Sequence, residues 1–242
     1  MKQHKIIIPL FSLMVAIPSL TSCDNFFDIK PQSELTGEDF WQSKSDVESS
    51  VAACYRALQE PDVMERFIVW GEVRSDNVLR GTNTSERISN LLNANVDATN
   101  GYTSWGSIYT AINYCNTVIA NAPTVMEKDP NFKQSELRAY LAEAKALRAL
   151  CYLGTTRPFQ EPQTDGDIII QTLTQELEGI ALQAKAIYNN TSNTKGHITQ
   201  KAIWTLLADM YLWINDYDQC ITNCDKVLNT STNPLQLETA SA

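Results

Sequence analysis

The amino-acid sequence predicts an all-α fold built from paired helices, on three observations. Apolar residues recur three and four positions apart through most of residues 45–229. Period-two alternation, the mark of half-buried strands, is nearly absent. The last helical pair, residues 199–229, carries aromatic and small residues in the register of a known helical repeat.

The third observation is the most specific. A tetratricopeptide repeat packs two antiparallel helices in about 34 residues, with aromatic, Leu, small and Tyr positions on the first helix. Trp204, Leu207, Ala208 and Tyr211 supply that set, and Tyr217, Cys220, Cys224 and Val227 supply the second across an Asn215-Asp216 turn. Any amphipathic hairpin shows apolar residues at this spacing, but eight positions in register favour the repeat. Ala149 and Tyr152 restate the Ala208/Tyr211 pair, which suggests a second, degenerate unit and so a TPR-like α-α superhelix.

Other elements follow in order. Residues 23–44 read as a tether, with Pro31 among alternating polar residues before Phe40-Trp41. A helix is expected from about Ser45, because Ser45 and Glu48 make an S-x-x-E capping box and Val47, Val51, Cys54, Tyr55 and Leu58 share a face. Pro61 should end it. Residues 60–100 lack a sustained period and read as loop with short helical pieces. A stripe of Trp105, Ile108, Ile112, Cys115 and Ile119 should stop before Pro123, and a helix over 135–153 should stop at Gly154 and Pro158. A further helix is expected over 166–188, a polar loop over 189–196, and a polar tail over 231–242 after the helical domain at 45–230.

The first 22 residues are a different material. Lys2, His4 and Lys5 form a basic head, residues 6–17 are apolar apart from Pro9 and Ser12, and Leu20-Thr21-Ser22-Cys23 follows. That is the layout of a secretion signal, and the apolar run is shorter than the roughly 20 residues a spanning helix needs. Leu, a small residue and Cys together look like the bacterial lipobox, in which the Cys thiol is acylated. Residues 1–22 are therefore expected to be removed, and Cys23 is expected to carry palmitate-type chains that hold the protein on a membrane, since each buried methylene contributes about 0.8 kcal/mol.

At 242 residues and 43% hydrophobic content the chain can bury a core, while 19% charged residues and 9 glycines argue against disordered and fibrous classes. Loss of the leader removes Lys2 and Lys5 from the 19 basic residues and none of the 28 acids, leaving 17 against 28 and a net charge of −11. So acidic a body argues against nucleic acid as a partner. Of 6 cysteines, the five other than Cys23 are scattered and odd in number, which is no disulfide framework. Cys220 and Cys224 lack the second ligand pair of a zinc site, so no metal is expected and the cysteines read as small apolar side chains.

With lipobox and repeat together, the chain resembles the SusD/RagB family. The resemblance is carried by Cys23-Asp24-Asn25-Phe26-Phe27-Asp28-Ile29-Lys30-Pro31, Leu35-Thr36, Asp39-Phe40-Trp41 and Tyr55. It continues at residues 105–116, at Ala142-Glu143-Ala144-Lys145-Ala146-Leu147-Arg148-Ala149 with Tyr152, and at Ala208-Asp209-Met210-Tyr211-Leu212. It implies a lipid-anchored protein on the outer-membrane surface. Such a protein captures an oligosaccharide or other nutrient for a SusC-type TonB-dependent transporter, and does so without chemistry or cofactor. In the family the repeat helices are a scaffold facing the transporter, and irregular loops form the ligand site. Members run to about twice this length, so the chain is expected to be a truncated member that lacks the C-terminal half. Where the family has an Arg-Phe-Gly-Asp-Val-Pro-like stretch, this sequence has only Arg157-Pro158-Phe159 and a short polar loop. The alternative is a TPR-like lipoprotein that binds protein alone.

Catalytic signatures are absent. His197 is the only histidine beyond the leader and reads as a solvated loop residue. Glu176 with Glu178, and Asp165 with Asp167, are acid pairs of a kind that exposed helices carry. Ligand-binding candidates are Trp70, Arg74, Asp76 and Asn77, because sugars are held by planar hydrogen-bonding groups beside an aromatic face and binding residues concentrate in loops. The simpler account of Trp70 is a core residue, with its polar neighbours satisfying loop backbone.

Overall fold

The computed structural model describes residues 37–73, 75, 77–156 and 164–229. The chain divides into two units, Met1–Phe40 and Trp41–Ala242. The described part of the first is one short helix, α1 (Gly37–Phe40). Cys23, Arg74, Asp76, Arg157, Pro158 and Phe159 and the 231–242 tail lie outside the described residues.

In the second unit the described residues form helices and turns and no strand, so the fold is all-α. Its longer helices are α2 (Lys44–Leu58), α3 (Pro61–Glu72), α5 (Gly106–Lys128), α6 (Gln134–Thr156), α7 (Gly166–Ile180), α9 (Gln200–Trp213) and α10 (Tyr217–Asn229). Short α4 (Glu86–Leu92) and α8 (Thr191–Gly196) interrupt the connections. Neighbours in the stack are α2 on α5, α5 on α6, α6 on α7, α7 on α9, and α9 on α10, with α3 against α2, α5 and α6.

Helix α6 explains the stack. Ala142, Ala144, Ala146 and Ala149 are fully buried, so helices approach it from several sides. Toward the C-terminal end, Ala142, Ala146, Ala149 and Leu153 meet Ile170, Leu173 and Leu177 of α7 and Ile203, Trp204 and Leu207 of α9. On the side of α6 that meets the earlier helices, Cys151 joins a cluster of Val63, Val69, Trp70, Ile108 and Ile112. Burial of each such side chain contributes about 1.5–3 kcal/mol, which outweighs the modest helix preference of the β-branched residues.

Several expected boundaries move, each for a local reason. The box that starts α2 is Ser43/Asp46, two residues before Ser45/Glu48. Asp46 Oδ2 accepts from the Ser43 N–H at 2.7 Å and its hydroxyl at 2.8 Å, while Glu48 is held by the Tyr140 hydroxyl. Residues 60–100 hold a 12-residue helix, because Pro61 opens α3 rather than only closing α2; its missing N–H costs nothing in a first turn. α5 passes through Pro123, whose ring faces solvent while Ala122 and Val125 on the other side are fully buried. Gly154 does not stop α6 but lies inside it, where any Cβ would run into the Phe67 ring of α3. The helix expected over 166–188 gives way at Ala181 to a single 3-10 turn, and the 189–196 loop contains α8, capped by Asn190.

The hairpin of α9 and α10 needs one correction. Trp204, Leu207, Ala208 and Tyr211 are buried as the repeat register requires. On α10, Cys220 and Val227 pack against the core, but Tyr217 and Cys224 face solvent and the fully buried position is Asn223. Its amide donates to the Gln219 carbonyl at 2.9 Å and its oxygen accepts from Lys226. The tight turn places Asn215 at φ 62, a left-handed value that Asn tolerates better than most residues.

Candidate functional site

Two polar assemblies stand out. The first fixes the irregular segment between α3 and α5. Helix α3 presents Arg66 and Trp70, one turn apart, to the 101–104 turn. Arg66 donates from Nε to the Ser104 carbonyl at 2.8 Å and from Nη2 to that of Gly101 at 3.0 Å, and pairs with Asp62 at 3.1 Å. Trp70 Nε1 donates to the Tyr102 carbonyl at 2.8 Å. Asn100 donates to the Arg87 carbonyl and accepts from the Tyr102 N–H. Tyr102 in turn donates to Glu65.

Of the four ligand candidates read from the sequence, Trp70 is 5% exposed and packs in the core, so it anchors the segment rather than offering a ring face. Asn77 is exposed, and its N–H donates to the Ser75 hydroxyl at 3.3 Å. Arg74 and Asp76 lie outside the described residues.

The second assembly was not foreseen. Glu143 of α6 is 1% exposed, and three rings converge on its carboxylate. The Tyr55 hydroxyl of α2 donates to Oε2 at 2.7 Å, the Tyr188 hydroxyl donates to Oε1, and His197 Nδ1 stands 3.1 Å from Oε2. Tyr55 also accepts from the Ile198 N–H at 2.8 Å. His197 stacks on Tyr188 with centroids 4.5 Å apart, and Lys185 Nζ lies 4.6 Å from the Tyr188 centroid. Burial first, then the Glu143 charge and hydrogen bond, push the Tyr55 and Tyr188 hydroxyls well above their usual range, so both stay protonated donors. A buried carboxylate so occupied fastens residues 184–199 to α2 and α6; it is not free to move a proton on a substrate.

The expected solvated His197 is thus half-buried and engaged. One signal pointed to it: Glu143 is flanked by alanines in Leu141-Ala142-Glu143-Ala144, a setting in which a charge is buried on several sides. The acid pairs also separate. Glu176 accepts two bonds from Arg148 Nη2 at 2.8 Å and pairs with Lys145, whereas Glu178 accepts from Tyr211 at 2.6 Å. Burial, then that bond, pushes the Tyr211 hydroxyl up to about 12. Asp165 caps α7 by accepting from the Asp167 N–H. Among the described residues no group of three potential metal ligands converges.

Comparison with known proteins gives this architecture a class. No family model matches the chain. A SusD-like protein P38 of Formosa agariphila is 31% identical over 159 residues, covering 65% of this chain and 30% of the relative. A second, SusD-like protein P25 of the same organism, is 24% identical over 263 residues, covering 97% and 48%. Among solved structures, a SusD superfamily protein of Bacteroides thetaiotaomicron superposes with a TM-score of 0.66 at 16% identity, over 81% of this chain and 48% of that one. One of Bacteroides fragilis gives 0.64 at 23% over 80% and 51%, and a laminarin binding SusD-like protein gives 0.64 at 20% over 78% and 44%. The chain is thus similar to SusD-like proteins in sequence, and its described helices share the fold of the solved SusD superfamily structures. It spans at most about half the length of the curated relatives it matches.

Proposed function

We propose that this chain is part of a non-catalytic, glycan-capturing lipoprotein of the outer-membrane surface, anchored through Cys23 and working with a SusC-type transporter. The observation that carries the reading is the SusD-type helical stack behind a leader ending Leu20-Thr21-Ser22-Cys23. A relative of the same fold is a laminarin binding protein, which makes a glucan the first ligand to test. Ligand contacts are assigned to the segment that Arg66 and Trp70 pin at its far end. Asn77 is its exposed amide, Arg74 and Asp76 are its neighbours in sequence, and Trp70 supports it.

Calorimetric titration of the full chain, extracted in detergent, with laminarin and a panel of other glycans tests this. Saturable binding that weakens about tenfold in Arg74→Ala or Asn77→Ala, at unchanged melting temperature, is expected from the loss of one polar contact. Binding untouched by both variants removes the site assignment; no glycan binding at all removes the ligand class.

A protein-binding role is the second reading, and one observation favours it. Leu212, Trp213, Tyr217, Ile221 and Leu228, at the end of α9 and along α10, are each 41–60% exposed, an apolar surface of the kind that marks interaction sites.

A further inference from the structure

Helix α5 has two unlike faces. Ile108, Ala111, Ile112, Cys115 and Val118 are buried in the core, while Tyr109, Thr110, Asn113, Tyr114 and Thr117 are exposed on the other side. Residues 98–126 contain no Asp, Glu, Lys, Arg or His, in a chain with 28 acids and 19 Lys and Arg residues. The outward face of α5 is therefore polar but uncharged along this stretch, whereas solvated helix faces usually carry charges.

Its side chains match the chemistry of a sugar. Tyr109 and Tyr114 are 46% and 47% exposed, and they are the only large apolar side chains exposed on α5. Tyr109 stacks on Trp105, one turn before it, with centroids 6.4 Å apart and planes at 27°, so its ring is held in place before any ligand arrives. Thr110, Asn113 and Thr117, spaced three and four apart, are neighbours between the two rings. Thr110 Oγ1 donates to the Gly106 carbonyl at 3.0 Å and Thr117 Oγ1 to the Asn113 carbonyl at 2.9 Å. Each hydroxyl hydrogen thus goes to the backbone, which leaves the oxygen lone pairs as acceptors, and the Asn113 amide adds donors and an acceptor. The electron-rich ring faces suit the C–H faces of a pyranose, and the uncharged polar groups suit its hydroxyls. A protein partner fits less well, because protein interfaces centre on a buried apolar core and this face exposes no Leu, Ile, Met or Phe. An anionic glycan also fits less well, since the chain carries a net charge of −9.

We propose that the outward face of α5 is a contact surface for a neutral glycan polymer, additional to the segment that carries Asn77. The proposal rests on the glycan-capture reading and deepens it by naming the ligand class. Helix α5 begins directly after the 101–104 turn that Arg66 and Trp70 hold. A convex helix face covers little of its ligand, so a single sugar unit binds weakly there. A long polymer already held elsewhere on the chain gains from the high effective concentration of its further units.

Calorimetric titrations of the full chain in detergent test this, with laminarin, amylopectin and mannan as neutral polymers and alginate as an anionic one. The wild type should bind at least one neutral polymer and should not bind alginate. The double variant Tyr109→Ala/Tyr114→Ala should raise the Kd for that neutral polymer about fivefold or more, because the second surface is lost. Asn113→Asp, which keeps the size of the side chain and places a charge in the face, should raise it in the same direction at unchanged melting temperature. This second variant reads the surface even where loss of the Trp105 stack destabilises the first. A Kd unchanged in Asn113→Asp or in a well-folded double variant, or a preference for alginate, overturns the proposal and leaves glycan capture in place. A wild-type chain that binds none of the four polymers removes the reading on which the proposal rests, and the proposal with it.

Discussion

Tyr55 does two jobs with one oxygen: it donates to the buried Glu143 carboxylate at 2.7 Å and accepts from the Ile198 N–H at 2.8 Å. Tyr55→Phe leaves a buried charge short of a donor and a backbone N–H without an acceptor. It should cost about 1–3 kcal/mol in urea unfolding, and amide exchange should quicken around Ile198 before it does elsewhere. A variant with wild-type stability and exchange would mean that the hydroxyl is dispensable. At this scale the sequence was least legible. The alanines around Glu143 hint at its burial, but its partners arrive only with α2 and residues 184–199, from distant parts of the chain. His197 looks solvated for the same reason. Both are settled by contacts more than 50 residues apart, which no local pattern encodes.

Helices were more legible than their ends. The Trp204, Leu207, Ala208 and Tyr211 register is a local pattern and appears as expected, whereas α10 turns so that Asn223 rather than Cys224 is buried. Its apolar residues Tyr217, Ile221 and Leu228 face outward, so hydrophobicity alone could not identify the inner face. Prolines misled in opposite ways, because whether a proline ends a helix depends on which side of it is buried. Ala208 is 8% exposed where α9 meets its neighbours. Ala208→Trp should therefore overpack the hairpin and destabilise it by about 1–3 kcal/mol. An unchanged melting temperature at unchanged helical content would show that Ala208 faces no packed neighbour.

Across the whole molecule, the start of α2 and the α5–α6 connection form one acid-sensitive corner. Hydrogen bonds from Ser43 hold the Asp46 carboxyl below the usual carboxylate range, the Lys44 N–H does so for Asp129, and the Lys44 ammonium does so for Glu136. Groups whose folded value is lowered contribute above their unfolded value, near about 4, and that contribution disappears as pH falls through the folded value. Amides in the first turn of α2 should thus lose exchange protection below about pH 4, ahead of α6. Protection that persists to pH 2 would contradict this. The general architecture, an all-α stack of repeat-like helices, was legible because alanine-rich and 3-4-spaced stripes are local. The pinning of the irregular segment by Arg66 was not, since it depends on carbonyls 35 and 38 residues away.

The central claim is that this helical stack is held on the outer surface by Cys23 to capture a glycan. Retention of fluorescent laminarin by intact cells producing the full chain, against cells producing Cys23→Ala, tests it most directly. The account predicts saturable retention that is displaced by unlabelled glucan and lost in Cys23→Ala. Cells that carry the wild-type chain on their surface and retain no laminarin, or equal retention with Cys23→Ala, would contradict it.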